Sequence, residues 1–285
     1  MNIQVVKDVL IIKESVIGKM KKIINKLSII IFCIVCFCWF SNNYIQTNYY
    51  IYKNSKISQE FNNFKIAHIS DLHNKDFGNS LINKIKKEKP NIIVITGDII
   101  DSNNTNIDIA LDFAKDCISI TNTFYVSGNH EYNSNEYDLL KEKLIEIGVI
   151  VLDNEIYELS NNINIIGVSD ISFSTLDNFK NILSNLANND NFNILLSHRP
   201  ELIDIYIENN IDLVFSGHTH GGQWRIPFIN KGIIAPNQGF FPKYSEGMIV
   251  KNNTTMIVSR GLGNSIIPLR IFNQPELIIT TLKIE

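Results

Sequence analysis

From residue 65 onward the chain alternates short apolar runs with longer mixed stretches. The runs fall at residues 65–70, 92–96, 123–127, 149–152, 164–168, 193–197 and 212–216, and most are rich in Ile and Val. Runs this short and this continuously apolar predict strands buried on both faces. The stretches between them, at 79–89, 107–120, 136–148, 176–188 and 201–208, predict helices. Strand–helix alternation of this kind predicts α/β layering. From residue 254 on the pattern predicts strands alone, at 255–259 and 277–284.

The N-terminal part follows another rule. Residues 27–40 are apolar except for Ser28, and Ile23 and Ile24 extend the run. Fourteen helical residues reach about 21 Å, short of a hydrocarbon core of roughly 30 Å. Lys26 can snorkel to the headgroups, and Trp39, Tyr44, Tyr49, Tyr50 and Tyr52 supply an aromatic belt. Lys19, Lys21, Lys22 and Lys26 precede the run, so the positive-inside rule places the N-terminus in the cytoplasm. A cleaved signal peptide is the rival reading, but Trp39-Phe40-Ser41 is a poor cleavage site. Cys33, Cys36 and Cys38 lie within the run, as small apolar residues or as acylation sites. The expected organisation is a basic cytoplasmic N-terminus at 1–26, a membrane anchor at 27–45, a polar and aromatic linker at 46–63, and a folded domain at 64–285. The protein is then single-pass in the cell membrane, with its domain extracytoplasmic.

Charge sharpens this division. Residues 1–60 carry eight Lys against three acids, whereas residues 61–285 carry 18 basic and 26 acidic residues. So acidic a domain argues against a nucleic-acid partner, because such binding leans on a basic surface. No protein partner is implied. The domain holds one cysteine, Cys117, which excludes an internal disulfide and gives no sign of thiolate metal binding.

Five of the six histidines sit in short motifs: SDLH (70–73), GDIID (97–101), GNHE (128–131), SH (197–198) and GHTHGG (217–222). Each follows a predicted strand, and α/β sheets form ligand sites at the carboxyl ends of their strands. Asp71 and His73 offer a carboxylate and an imidazole, a fair start for a borderline metal such as Mn, Fe, Zn or Ni. Asp98 has two oxygens and can bridge two ions. Asn129 offers a neutral amide oxygen, which leaves its neighbour His130 free for acid–base work. His198, His218 and His220 add three imidazoles, and Gly217, Gly221 and Gly222 let backbone approach closely. Each motif alone has an ordinary explanation as a strand-end turn or a surface histidine; together they point to a metal site. His68, the sixth histidine, alternates to the face opposite Asp71 and reads as structural. Only four basic residues are arginines, namely Arg199, Arg225, Arg260 and Arg270, and Arg binds phosphate bidentately.

In type, order and spacing these five motifs resemble those of the calcineurin-like metallophosphoesterases. The segment GHTHGGQWRIP and the tail SRGLGNSIIPLRIFNQPELIITTL are similar to the membrane-associated YkuE/YaeI-like branch of that superfamily. The resemblance covers residues 64 to 285 and implies a four-layer α/β/β/α sandwich. It implies two divalent metal ions, one held by Asp71, His73, Asp98 and His220, the other by Asp98, Asn129, His198 and His218. It makes His130 the catalytic acid–base group, oriented by Asp101, and leaves Arg260, Arg225 and Arg270 as candidates to bind substrate. The implied reaction is hydrolysis of a phosphodiester, phosphomonoester or pyrophosphate by a hydroxide activated between the metals, with a lipid-linked or cell-envelope substrate in view. Two alternatives stay open: a metal-binding membrane protein without turnover, and a secreted nuclease of the same fold, which the acidic domain opposes.

Overall fold

Each apolar run read from the sequence becomes a strand whose alternate side chains enter two different cores. The computed structural model describes residues 3–160, 162–187, 190–229, 231–264 and 268–285. The chain begins with a helix, α1 (Ile3–Asn43), followed by β1 (Gln46–Lys53) and β2 (Lys65–Ile69). Next come α2 (Asn79–Glu88), β3 (Ile92–Thr96), α3 (Ile107–Ile118), β4 (Thr123–Val126), the short α4 (Asn129–Asn133), α5 (Tyr137–Ile147) and β5 (Ile150–Val151). The second half runs through β6 (Glu155–Ser160), β7 (Ile163–Gly167), α6 (Leu176–Leu186), β8 (Phe192–Leu196), α7 (Ile203–Glu208) and β9 (Leu213–Ser216). Two small antiparallel ladders follow, β10 (Arg225–Ile226) with β11 (Lys231–Gly232) and β12 (Ile234–Ala235) with β13 (Gly239–Phe240). The last strands are β14 (Gly247–Lys251), β15 (Thr254–Val258) and β16 (Glu276–Lys283). Residue 188, the expected end of the fourth predicted helix, and residues 265–267 of the tail motif lie outside the described residues.

The strands form two six-stranded sheets, ordered β1-β16-β2-β3-β4-β5 and β14-β15-β9-β8-β7-β6. Within the first sheet β2, β3, β4 and β5 run parallel; within the second, β7, β8, β9 and β15 do. On β2, Ile66 faces the second sheet, while Ala67 and Ile69 face α2 and α3. On β9, Leu213 and Phe215 face the first sheet, while Val214 faces α6 and α7. The helices present matching stripes. Ala110, Ala114 and Cys117 on α3, and Phe179 and Leu183 on α6, fall at helical spacing and are buried. The result is the four-layer α/β/β/α sandwich, with one core between the sheets and one beneath each helical layer. His68 lies in the inter-sheet core, its Nε2 2.8 Å from Thr96 Oγ1 and its ring edge-on to Phe215. Burial lowers its pKa to about 3, so it is a neutral packing residue.

The N-terminal part differs from expectation in two ways. The helix does not start near residue 27; it is continuous over Ile3–Asn43, and Val16–Asn43 is long and apolar enough to cross a membrane. The basic segment continues the same helix because nothing in it breaks one. Residues 46–53, expected as part of a linker, are β1, paired in parallel with β16 from Gln46↔Glu276 to Lys53↔Lys283. Of the tyrosines read as an interfacial belt, Tyr49, Tyr50 and Tyr52 are strand residues here, with Tyr52 packed in the inter-sheet core, and Tyr44 stacks on Phe40. The partner strand that makes β1 a strand lies at the other end of the sequence, out of reach of any local pattern. Ile45, assigned to the anchor, is buried in the core beneath α2 and α3.

Candidate metal centre

β2, β3, β8 and β9 each deliver a side chain two residues past their last strand position: Asp71, Asp98, His198 and His218. Asn129 follows β4 as the first residue of α4. All these strands end at the same edge of the sandwich, so turns from both sheets converge there. The turns are tight. Asp71, His73, Asp98, His218 and His220 all have positive φ, between 47° and 69°. Such conformations cost of order 1–3 kcal/mol each outside glycine and cluster at functional sites. Gly217 serves close approach: a Cβ there would lie 2.4 Å from Asp71 Oδ2. Gly221 and Gly222, expected beside the metals, instead pack against Asn273 and the backbone of Gly232.

Three groups of metal-ligand atoms result: His73, Asp101 and His130 form one at the rim, and the two deeper ones are Asp71 with His73, Asp98 and His220, and Asp98 with His198 and His218. Asp98 belongs to both deeper groups. Its Oδ2 lies 3.1 Å from His198 Nε2 and 3.6 Å from His73 Nε2. His73 Nε2 meets His220 Nε2 at 3.1 Å, and His220 Nε2 lies 3.4 Å from Asp71 Oδ1. His218 Nδ1 meets His198 Nε2 at 3.2 Å. The Thr96 carbonyl lies 2.7 Å from His198 Nδ1, so that nitrogen carries a proton and Nε2 is the nitrogen that faces the site, where a cation would displace its proton. Among the described residues, Asn129 Oδ1 is buried with no hydrogen-bond partner. An orphaned amide oxygen, paired imidazole nitrogens and two buried carboxylates form a donor set that fits divalent cations.

The electrostatics agree. Burial alone would lower the pKa of His198, but the Asp98 carboxylate, aided by Asp71, outweighs it and raises it to about 10. Burial lifts Asp71, whereas Asp98, despite its burial, is held well below the carboxylate range by His198 and His73. A pocket with this field favours positive charge.

The sequence reading gave Glu131 no role, and the structure gives it one. Its buried carboxylate accepts from the backbone N–H groups of Asp98 (2.8 Å), Gly128 (2.7 Å) and Ile99 (2.9 Å). It thereby ties the GDIID turn to the GNHE turn. The only sequence signal was an acid inside a motif already full of donors.

His130 lies at the rim, its Nδ1 3.0 Å from the Ser102 backbone N–H and 3.1 Å from Ser102 Oγ. The N–H occupies the Nδ1 lone pair, so the neutral ring carries its proton on Nε2. Asp101, expected to orient His130, stands 3.8 Å from His130 Nδ1 and equally far from His73 Nδ1. The closest contacts holding the ring are those of Ser102.

The cleft above the candidate ligands is lined by Asn133, Ser172, Arg199, Pro236 and Asn237 together with His130. Arg225, Arg260 and Arg270, expected to face substrate, do not line it. Arg225 pairs with Glu246 and donates to the Gly221 carbonyl. Arg260 lies beside Glu276 and Glu246 and donates to Gln46. Arg270 is fully buried and donates to the carbonyls of Gly263, Arg260 and Asn273. A guanidinium fork suits backbone carbonyls as well as phosphate, and sequence does not separate the two uses. The arginine in the cleft is Arg199, clamped by Asp170 through Nε at 2.6 Å and Nη2 at 2.9 Å. Its Nη1 reaches His218 Nε2 at 2.9 Å and Asn237 Oδ1 at 3.1 Å. Asp170 and Asn237 lie outside every sequence motif.

Comparison with known proteins agrees with this geometry. The calcineurin-like phosphoesterase family matches residues 64–222. The uncharacterized metallophosphoesterase YkuE of Bacillus subtilis is 32% identical over 250 residues, covering 84% of this chain and 86% of that one. The phosphodiesterase YaeI of Escherichia coli is 27% identical over 225 residues, covering 75% and 80%. Among solved structures, TT1561 of Thermus thermophilus superposes with a TM-score of 0.50 at 12% identity, covering 70% of this chain and 90% of that one. At that identity the likeness is one of fold.

Proposed function

The chain belongs to the calcineurin-like phosphoesterase family, and we propose that it is a membrane-anchored hydrolase of phosphoric esters working with a pair of divalent cations. The observation that carries the pair is Asp98, whose carboxylate is common to both deeper ligand groups. Asp71, His73, Asp98 and His220 would hold one ion, and Asp98, Asn129, His198 and His218 the other. Bound there, such ions supply Lewis-acid charge for phosphoryl oxygens and lower the pKa of water. The chain's own residues do the rest. His130 presents its Nε2 proton at the rim, where it can hydrogen-bond a phosphoryl oxygen and protonate the leaving oxygen. Ser102 fixes the ring's tautomer, and burial holds its pKa below the usual imidazole value despite the Asp98 and Asp101 carboxylates. Arg199, immobilised by Asp170, sets one wall of the cleft with fixed positive charge.

The apolar part of α1 crosses the membrane once. Lys19, Lys21, Lys22 and Lys26 keep the N-terminus in the cytoplasm, which puts the catalytic domain outside. YaeI is called a phosphodiesterase, so a diester is the first substrate to try. The test is hydrolysis of an aryl phosphodiester, an aryl monoester and a pyrophosphate by the purified full chain in detergent with Mn²⁺. Turnover that EDTA abolishes and Mn²⁺ restores is the expected result. A folded protein that binds two ions and cleaves none of the three would overturn the reading.

A further inference from the structure

The apolar surface of this protein does not stop at α1. Phe37 on α1 packs against Phe272, with ring centroids 4.9 Å apart. Ile271, beside Phe272, bridges in parallel to Trp224, whose indole N–H donates to the Leu269 carbonyl at 3.0 Å. Backbone bonds run on from Trp224 to Ile233 (2.8 Å) and from Ile233 to Phe241 (2.8 Å). Along this path the two ladders β10–β11 and β12–β13 hold up large side chains that are exposed among the described residues. Phe240 is 73% exposed, Phe241 61%, Ile229 60%, and Phe228 completely. A continuous exposed patch of this kind marks an interaction surface, unlike scattered single residues.

Charge narrows what covers it. Residues 213–275 contain a single acid, Glu246, against six basic residues, in a domain that is otherwise strongly acidic. Of the six, Lys231 and Lys243 are exposed beside the aromatic side chains. Exposed aromatics with flanking lysines match a bilayer surface, where rings enter the headgroup region and lysines meet lipid phosphates. The patch is also continuous with the helix that enters that bilayer.

We infer that the face formed by Trp224, Phe228, Ile229, Phe240, Phe241 and Phe272 seats on the lipid bilayer, giving the domain a second membrane contact beside α1. The β12–β13 ladder that carries Phe240 also lines the cleft through Pro236 and Asn237. Seating therefore fixes the height and tilt of the cleft above the membrane. The inference rests on the placement of α1 in lipid and is independent of the hydrolytic reading.

The chain has two tryptophans, Trp39 on α1 and Trp224 on the patch, so each contact has its own reporter. The experiment uses the full chain in vesicles of phosphatidylcholine and phosphatidylglycerol, with and without bromine on the acyl chains. Trp224→Phe leaves Trp39, which reports α1; Trp39→Phe leaves Trp224, which reports the patch. Both emissions should fall at least twofold in brominated vesicles, and acrylamide in water should quench Trp224 weakly. In the Trp39→Phe background, Phe228→Ser with Phe240→Ser and Phe241→Ser should restore Trp224 emission, with an unchanged melting temperature showing that the fold survives. Quenching of Trp39 without quenching of Trp224 would overturn the second contact while sparing α1. A Trp224 shielded from acrylamide only at high protein-to-lipid ratio, and insensitive to bromine, would assign the face to a second copy of the chain instead. Absence of quenching at Trp39 would remove the premise and the inference together.

Discussion

The backbone N–H of Arg270 donates to Asn42 Oδ1 at 3.0 Å, and the Asn42 amide reaches back to the Arg270 carbonyl at 3.4 Å. This reciprocal pair joins the last turn of α1 to a segment more than two hundred positions away. The Arg270 guanidinium then bonds the carbonyls of Gly263 and Arg260 and lies 3.5 Å from His220 Nδ1. Helix α1 is thus linked to a candidate metal ligand through one buried side chain.

Replacing Arg270 by Lys keeps the charge but cannot reproduce three carbonyl contacts in fixed directions. The expected loss is roughly 3 kcal/mol, since hydrogen bonds from charged donors each contribute about 1.5–3 and carbonyls are left bare. Asn42→Ala should cost about 1 kcal/mol by the same reasoning. Thermal melting of the full chain in detergent checks both. An Arg270→Lys midpoint equal to that of the parent chain would show that the buried fork is dispensable.

Asp98→Asn attacks the one carboxylate that both deeper ligand groups share. Elemental analysis after Mn²⁺ loading should give about two ions for the parent chain and a deficit at both positions for this variant. His218→Ala and His220→Ala, on opposite sides of Asp98, should each lose chiefly one. If Asp98→Asn still binds two ions as tightly, the carboxylate does not bridge.

His130→Ala should retain both ions and lose about 10²–10⁴-fold in rate, the range for a general acid. Asp101→Asn should lose less, because its carboxylate stands 3.8 Å from the ring and Ser102 makes the closer contacts. Metal analysis alongside the kinetics decides the role: a His130→Ala variant that sheds metal is missing a ligand rather than a proton donor.

Topology has its own test. Protease added to intact cells should digest the domain and spare a fragment containing α1. Complete protection, with digestion only after lysis, would reverse the orientation assigned from Lys19 to Lys26.

The parts of this fold that sequence revealed are those with short-range causes. Asp71, Asp98, His198 and His218 were legible because each follows a β-branched strand at a fixed offset, and the strand pattern needs only neighbouring residues. The parts it hid depend on partners far along the chain. β1 reads as linker in the sequence because it is β16 that makes it a strand. The edge strands β6 and β14 were missed because they are partly exposed and lack a continuous apolar run. Arg199 was singled out only as one of four arginines. What distinguishes it is Asp170, which follows β7 in the second sheet and becomes its neighbour only when that sheet forms.

β1 and β2 are consecutive strands, yet they are not adjacent in the sheet; β16 lies between them, parallel to one and antiparallel to the other. During synthesis both strands leave the ribosome long before the partner they share. Until it arrives, each carries an edge of unpaired N–H and C=O groups, the kind that other chains can capture. The wiring therefore sets an order for biogenesis. α1 leaves the ribosome well before β16, so the helix can meet a membrane while the first sheet stands open. Under the extracytoplasmic topology proposed above, a chain threaded through a translocation channel behind that helix would stay pliable until its closing strand had followed, and the sheet would lock at the destination rather than on the way.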